Sequence, residues 1–320
     1  MEQGIWYDRF TEILAKRFPK KKQLVEALME LLSLEREAAY RRLRKDVLFS
    51  IHEIVIIATA WNISLDEIAS VDFGKISFQM QLMNYLDPSK EEVEFLQQFI
   101  KSIKMLNNFP STVFMDICNK LPRQFEAGYE YLNKFSLFQW MYQYRSDVEA
   151  IPFGKINISE TKHKLTLDYY KAIKQVPNSN FIFDQRIFLC LINDVQYFFS
   201  IYLITKEEKE LIKNDLFSLI DYLEEVANKG CYPETHNNVN IFISELKVET
   251  GYSYTITPDI NICYIHVFDK LEIYSLNSEM VNHFITWMQL KKRASIKISE
   301  VDEKSRIDFF SKQRQIVESL

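Results

Sequence analysis

The chain has 320 residues, 47% of them apolar and 26% charged, with 24 Phe and 17 Tyr but only 6 Gly. This composition excludes a disordered or collagen-like chain and predicts a folded protein of about two domains with a sizeable core. The net charge of −5 excludes a uniformly basic nucleic-acid binder, but residues 1–50 carry 11 Lys and Arg against 8 Asp and Glu, while the rest carry 28 against 36. A mildly basic head on an acidic body fits a protein that meets a polyanion with one end.

In chain order, residues 5–17 place Ile5, Trp6, Phe10, Ile13 and Leu14 at helical spacing. Pro19 and the run Lys20-Lys21-Lys22 follow. A second helix is predicted over 23–32, with Leu24, Leu28, Leu31 and Leu32 on one face. A break at Ser33-Leu34 leads into a third over 35–45. Ser50-x-x-Glu53 and Ser64-x-x-Glu67 read as capping boxes, in which the hydroxyl accepts from an orphan N–H and the Glu reaches back to the cap. They open two more helices. Five short helices in 70 residues leave connections that force tight packing.

Beyond Gly74, alternation of Ile76, Phe78, Met80 and Leu82 with polar residues predicts a strand. Ser89-x-x-Glu92 starts a helix to about Asn107, ended by Phe109-Pro110. Residues 112–119 and 124–144 read as helices rich in aromatics, and Pro152-Phe153-Gly154 as a loop. Further helices are expected over 160–176, stopped by Pro177, and over 185–204. Thr205-x-x-Glu208 caps a long amphipathic helix that Gly230 ends. From Val239 the texture turns to β: 240–249, 252–257, 261–268 and 271–275 are rich in β-branched and aromatic residues, and Asp269-Lys270 suits a tight hairpin. Helices over 279–290 and 300–319 close the chain. The fold class is therefore α+β: an all-α head over 1–70, then a body over 71–320. That body is either one region or two, helical over 71–230 and β-rich over 231–320.

The stretch 23–68 resembles the Cro/repressor-type helix-turn-helix, and the head of a group of bacterial transcriptional regulators of similar length. The residues that carry the likeness are Leu28, Leu31 and Leu32, the turn at Ser33-Leu34, and Ala38-Ala39-Tyr40-Arg41-Arg42-Leu43-Arg44. Phe49-Ser50, Glu53-Ile54, Ile57-Ala58 and 62–67 complete it. Two later stretches share the likeness: Leu203-Ile204-Thr205-x-Glu207-Glu208 and Phe309-Phe310-x-x-Gln313-Arg314. The chain departs from the family at Ser33 and Lys45, where Gly is common, and at Met29, where a small residue is common. The resemblance implies sequence-specific binding of double-stranded DNA, with helix 35–45 in the major groove.

On that helix Ala39 and Leu43, i and i+4, can dock inward with Tyr40 beside them, while Glu37, Arg41 and Arg44 share another side. Arg36 and Arg41 can offer a guanidinium fork to guanine, and Glu37 can accept from cytosine or pair with Arg41. Lys20, Lys21, Lys22, Arg42, Arg44 and Lys45 are placed as phosphate contacts that set register. Glu35 sits where the helix dipole favours an anion. A small head reads few base pairs, so a homodimer on paired half-sites is expected, with the body dimerising, sensing an effector or recruiting a partner. A different class of function, a signalling or scaffold protein whose head binds protein, fits the acidic body and the Glu35/Glu37 pair.

Other constellations are weaker. Cys118, Cys190, Cys231 and Cys263 form no CxxC, which suits free thiols in a reducing compartment. Cys231-x4-His236 and Cys263-x2-His266 approach metal-ligand spacing, but on a strand Cys263 and His266 face opposite sides. No metal, cofactor or catalytic group is expected, since no GxGxxG, P-loop or GxSxG occurs. An aromatic cluster of Phe125, Tyr129, Tyr131, Phe135, Phe138, Trp140, Tyr142 and Tyr144 reads as core before it reads as a ligand pocket. Residues 1–6 lack a basic n-region and an apolar run behind it. The most apolar stretch, 187–204, is interrupted by Asn193, Asp194 and Gln196. These features predict a cytoplasmic protein with no membrane span.

Overall fold

Apolar residues at helical spacing give the first 60 residues their structure. Helices α1 (Ile5–Arg17), α2 (Lys21–Leu32), α3 (Arg36–Leu43) and α4 (Ile51–Ala60) turn one face each inward. Phe10 and Leu14, Val25 and Leu28, Ala39, and Ile54, Ile57 and Ala58 form their common core. A computed structural model of the chain describes residues 5–18, 20–61, 63–65, 68, 76–80, 89–144, 151–267 and 271–320. The chain divides into two units, Met1–Phe78 and Gln79–Leu320. Glu67 of the second capping box and the Asp269-Lys270 turn fall outside the described residues, as do 81 and 82 of the strand expected over 76–82, within which Gln79–Met80 form a strand.

The second unit is built on one mixed sheet of eight strands. These are β1 (Gln79–Met80), β2 (Val113–Cys118), β3 (Asn178–Phe183), β4 (Asn238–Ser244), β5 (Tyr252–Ile256), β6 (Asn261–Val267), β7 (Leu271–Ser275) and β8 (Ser295–Lys297). Their order is β1-β7-β6-β5-β2-β3-β4-β8. Strands β2, β3 and β4 run parallel, and every other pairing is antiparallel.

Parallel neighbours need long crossovers. Here α6 (Arg123–Glu126), α7 (Glu130–Tyr144) and α8 (Glu160–Ile173) lie between β2 and β3. Helices α9 (Leu189–Ser200) and α10 (Lys206–Lys229) lie between β3 and β4. Thr205 and Glu208 form the expected capping box of α10, and Gly230, at φ +67°, ends it. Helix α5 (Lys90–Met105) opens at the Ser89/Glu92 box. Helices α11 (Ser278–Arg293) and α12 (Glu303–Glu318) close the chain.

Four elements differ from expectation. The stretch 112–119, expected as a helix, holds strand β2. Its run Val-Phe-Met-Asp-Ile-Cys is buried at its last four positions, and such a short two-sided apolar run carries no period that separates strand from helix. Strands β3 and β8 were not anticipated. With β2 paired to β5 and β3 paired to β4, the middle of the chain shares its sheet with the C-terminal strands, and no boundary falls at 230/231. The predicted helix over 124–144 breaks into α6 and α7 at Ala127-Gly128-Tyr129.

Both faces of the sheet are covered. One side carries Met115, Ile117, Ile182, Tyr254 and Cys263 against Val281, Phe284 and Met288 of α11. The other carries Phe181, Phe183, Val239 and Ile241 against a large helical core. Phe125, Phe135 and Phe138 of the predicted aromatic cluster are buried in that core, with Tyr129, Tyr131 and Trp140 packed on it. Tyr142 is partly exposed, its ring against Phe198. The Tyr144 side chain is outside the described set.

Candidate nucleic-acid interface

The turn between α2 and α3 is set by backbone geometry. Ser33 takes the left-handed conformation, φ 53° and ψ 42°, and both its N–H and that of Leu34 donate to the Met29 carbonyl. A non-glycine residue therefore adopts here the left-handed conformation that a glycine favours. The same holds at the other end of α3. Lys45 has φ 67°; its N–H donates to Arg42 O and the Asp46 N–H to Arg41 O. That pair of bonds is a Schellman ending. Each non-glycine residue held in this region costs about 1–2 kcal/mol.

Helix α3 then presents two unlike sides. Ala39 is fully buried, with Tyr40 and Leu43 packed beside it. Arg36, Glu37 and Arg41 are exposed. Arg36 lies 4.0 Å from Glu26, a long and solvated pair. Arg41 makes no side-chain hydrogen bond or ion pair among the described residues. Glu37 pairs with Arg44 at 2.6 Å rather than with Arg41, and Arg44 also reaches Asp46 at 3.0 Å. Glu35 is the N-cap of α3, but its side chain makes no capping bond.

Lys20, Lys21 and Lys22 stand exposed at the start of α2, whose first turn holds no acidic residue. Lys21 lies 5.9 Å over the Tyr40 ring, tying that end of α2 to α3. Lys22 pairs loosely with Glu26 at 3.9 Å. Lys45 is exposed and paired with Asp8 of α1.

Arg42 is placed differently from its expected phosphate role. Its side chain is 17% exposed, and Nη2 donates to Glu53 Oε1 at 2.7 Å, with Glu53 itself 14% exposed. Nη1 donates to Ala38 O at 3.3 Å. A guanidinium turned into the head and spent on a carboxylate does not reach a phosphate, so Arg42 leaves the contact set. Glu53 works twice, because its Oε2 also accepts from the Ser50 N–H in the capping box of α4. Burial works to raise the Glu53 carboxyl, but the bonds from Arg42 and Ser50 outweigh it and hold it below its usual value. Tyr7 adds a second clasp: its hydroxyl donates to Arg42 O and accepts from Phe49 N–H, both at 3.1 Å. These clasps fix α3 against α1 and α4, and sequence spacing gave no sign of them.

Next to α3 the head exposes Val47, Leu48, Ile51 and Val55; Ile51 is 82% exposed. Elsewhere, Cys263 is buried in the α11-facing core, while His266, three residues on, faces the other side of the sheet. Among the described residues no group of three or more His, Cys, Asp or Glu is arranged to hold a metal ion. No described helix is long and apolar enough to cross a membrane. No protein-family model, curated protein or solved structure matches the chain.

Proposed function

We propose that the protein is a sequence-specific DNA-binding transcriptional regulator of the bacterial cytoplasm, with α3 entering the major groove. One observation carries this reading. After a left-handed turn, α3 buries Ala39 completely while holding Arg36, Glu37 and Arg41 in solvent. A helix docked by one small residue and cationic on its far side suits a groove about 12 Å wide. Arg36, Glu37 and Arg41 read bases. Lys20, Lys21, Lys22, Arg44 and Lys45 hold phosphates, and the ion pairs of Arg44 and Lys45 are solvated enough to exchange for them. Two copies bind paired half-sites, and the second unit senses or recruits.

The test is selection of bound duplexes from a random pool by the full-length chain, with sedimentation of the selected complex. Enrichment of a two-fold symmetric site bound by two copies supports the reading. A pool that stays random through repeated rounds contradicts it.

A protein-binding head is the second reading, and the exposed run Val47, Leu48, Ile51 and Val55 favours it. Under that reading Ile51→Ser abolishes partner binding while Arg41→Ala leaves it unchanged. Under the DNA reading the two substitutions exchange effects.

A further inference from the structure

Strand pairing in the second unit gathers polar groups that lie far apart in sequence. Asp116 is opposite Ser253, Ser253 opposite Tyr264, and His266 opposite Glu272. All share one face of the sheet. On β3 and β4 that face is apolar and sealed by helices. Over β2, β5 and β6 it lines a cavity of about 450 Å³, within the range of small-molecule sites. Phe99, Ile103, Leu106, Phe114, Ile173 and Val176 supply apolar wall.

Asp116 is the anomaly. It is 1% exposed, and its Oδ1 has no hydrogen-bond partner among the described residues. His266 Nε2 is 3.9 Å away, beyond hydrogen-bond reach. Gln124 donates to Oδ2 at 3.3 Å. Burial pushes the Asp116 carboxyl up, and His266, Cys118 and Gln124 pull against that rise. A buried acceptor left open is costly, and where it borders a cavity a bound donor relieves the cost.

His266 is fixed beside it. Its Nε2 lies 3.3 Å from Ser253 Oγ and 3.8 Å from Glu272 Oε1. A Cβ at Gly251 would stand 2.5 Å from His266 Nδ1, so the glycine makes room for the ring. Ser253 and Asp116 both face Nε2, whereas a relay for nucleophilic attack needs the carboxylate on Nδ1. The cluster is arranged to hold rather than to attack.

We propose that this cavity binds a small organic cation, a protonated amine on an apolar body, with its N–H groups on Asp116 Oδ1 and its body against Phe114, Ile103 and Ile173. Glu272 adds negative charge at the same end. Lys120 and Arg123 also line the cavity. Arg123 is exposed, Lys120 is half-exposed, and both are engaged by other groups of the chain. The sign of the buried charge therefore selects a cation. The cavity lies wholly within the second unit, so this inference stands or falls apart from DNA binding by the head.

The experiment is isothermal titration of the full-length chain with 2-phenylethylamine and tryptamine. The neutral isostere 2-phenylethanol, the anion 3-phenylpropanoate and zinc chloride are titrated beside them. The amines are expected to bind at least tenfold tighter than the alcohol and the anion. Asp116→Asn is expected to remove that preference. Ser102→Trp, at an exposed α5 position on the cavity wall, is expected to block binding with the far-UV spectrum unchanged, which keeps the test valid if Asp116→Asn fails to fold. Equal affinity for amine and alcohol, tighter binding of the anion, stoichiometric zinc competing with the amine, or no binding of either amine each overturns the proposal.

Discussion

The two units handle charge in opposite ways. In the head, Arg36 and Arg41 stand in water on a short helix, and the half-buried pair Arg42–Glu53 holds that helix in place. In the second unit, Asp116 lies inside, opposed by no cation within hydrogen-bond reach. An exposed, unengaged guanidinium costs little to keep and is ready for a large polyanion. A buried, open carboxylate is costly, and a small partner that donates to it relieves that cost. The comparison separates charges that build the fold from charges that meet a ligand, and neighbours such as Arg41 and Arg42 fall on opposite sides of it.

The sharpest break of this division is within that pair of neighbours. Arg42→Ala leaves Glu53 half-buried without its cation and is expected to destabilise the head by about 2–3 kcal/mol, read by denaturant unfolding monitored at the head's tryptophans. Arg41→Ala is expected to leave unfolding unchanged. Instead it weakens binding to the selected duplex by about 1–3 kcal/mol and relaxes discrimination at one position. Equal effects of both substitutions on stability would erase the distinction.

The Glu53 clasp also predicts a pH dependence. Its carboxyl is held below its ordinary value in the folded head. Its stabilisation is therefore complete above the unfolded value of about 4.3 and is lost as pH falls through the folded value. The head of the wild type should therefore lose stability as pH falls below the unfolded carboxyl value of about 4.3. Glu53→Gln should show a flatter profile over that window; an unchanged profile would contradict the pairing.

The smallest expected effect concerns the turn. Ser33→Gly removes the left-handed strain and should stabilise the head by about 0.5–1 kcal/mol. Thermal unfolding checks this, and a loss of stability would place the strain elsewhere.

Much of the head was legible in the sequence because its determinants are local. The cap at Ser50, the break at Ser33 and the apolar face of α2 are each read within four residues. Arg42 was misplaced because its direction is set by Glu53 and Tyr7, which arrive from α4 and α1. The second unit was legible only in part. The antiparallel strands β5, β6 and β7 show β-branched and aromatic texture, but β2 and β3 are short runs buried on both faces, where no period survives. The cavity was out of reach, since Asp116, Ser253, His266 and Glu272 meet only through strand register.

On the proposed function the head grips DNA through phosphates at α2 and reads bases through α3. Fluorescence anisotropy on the selected duplex, from low to physiological salt, tests it with wild type, Lys20→Ala/Lys22→Ala and Arg36→Ala/Arg41→Ala. The account predicts steep weakening with salt in the wild type, and a slope shallower by about two in the lysine variant. In the arginine variant, affinities for selected and random duplexes should converge. Salt-insensitive binding, or no binding even at low salt, would contradict the account and leave the head as a surface for protein.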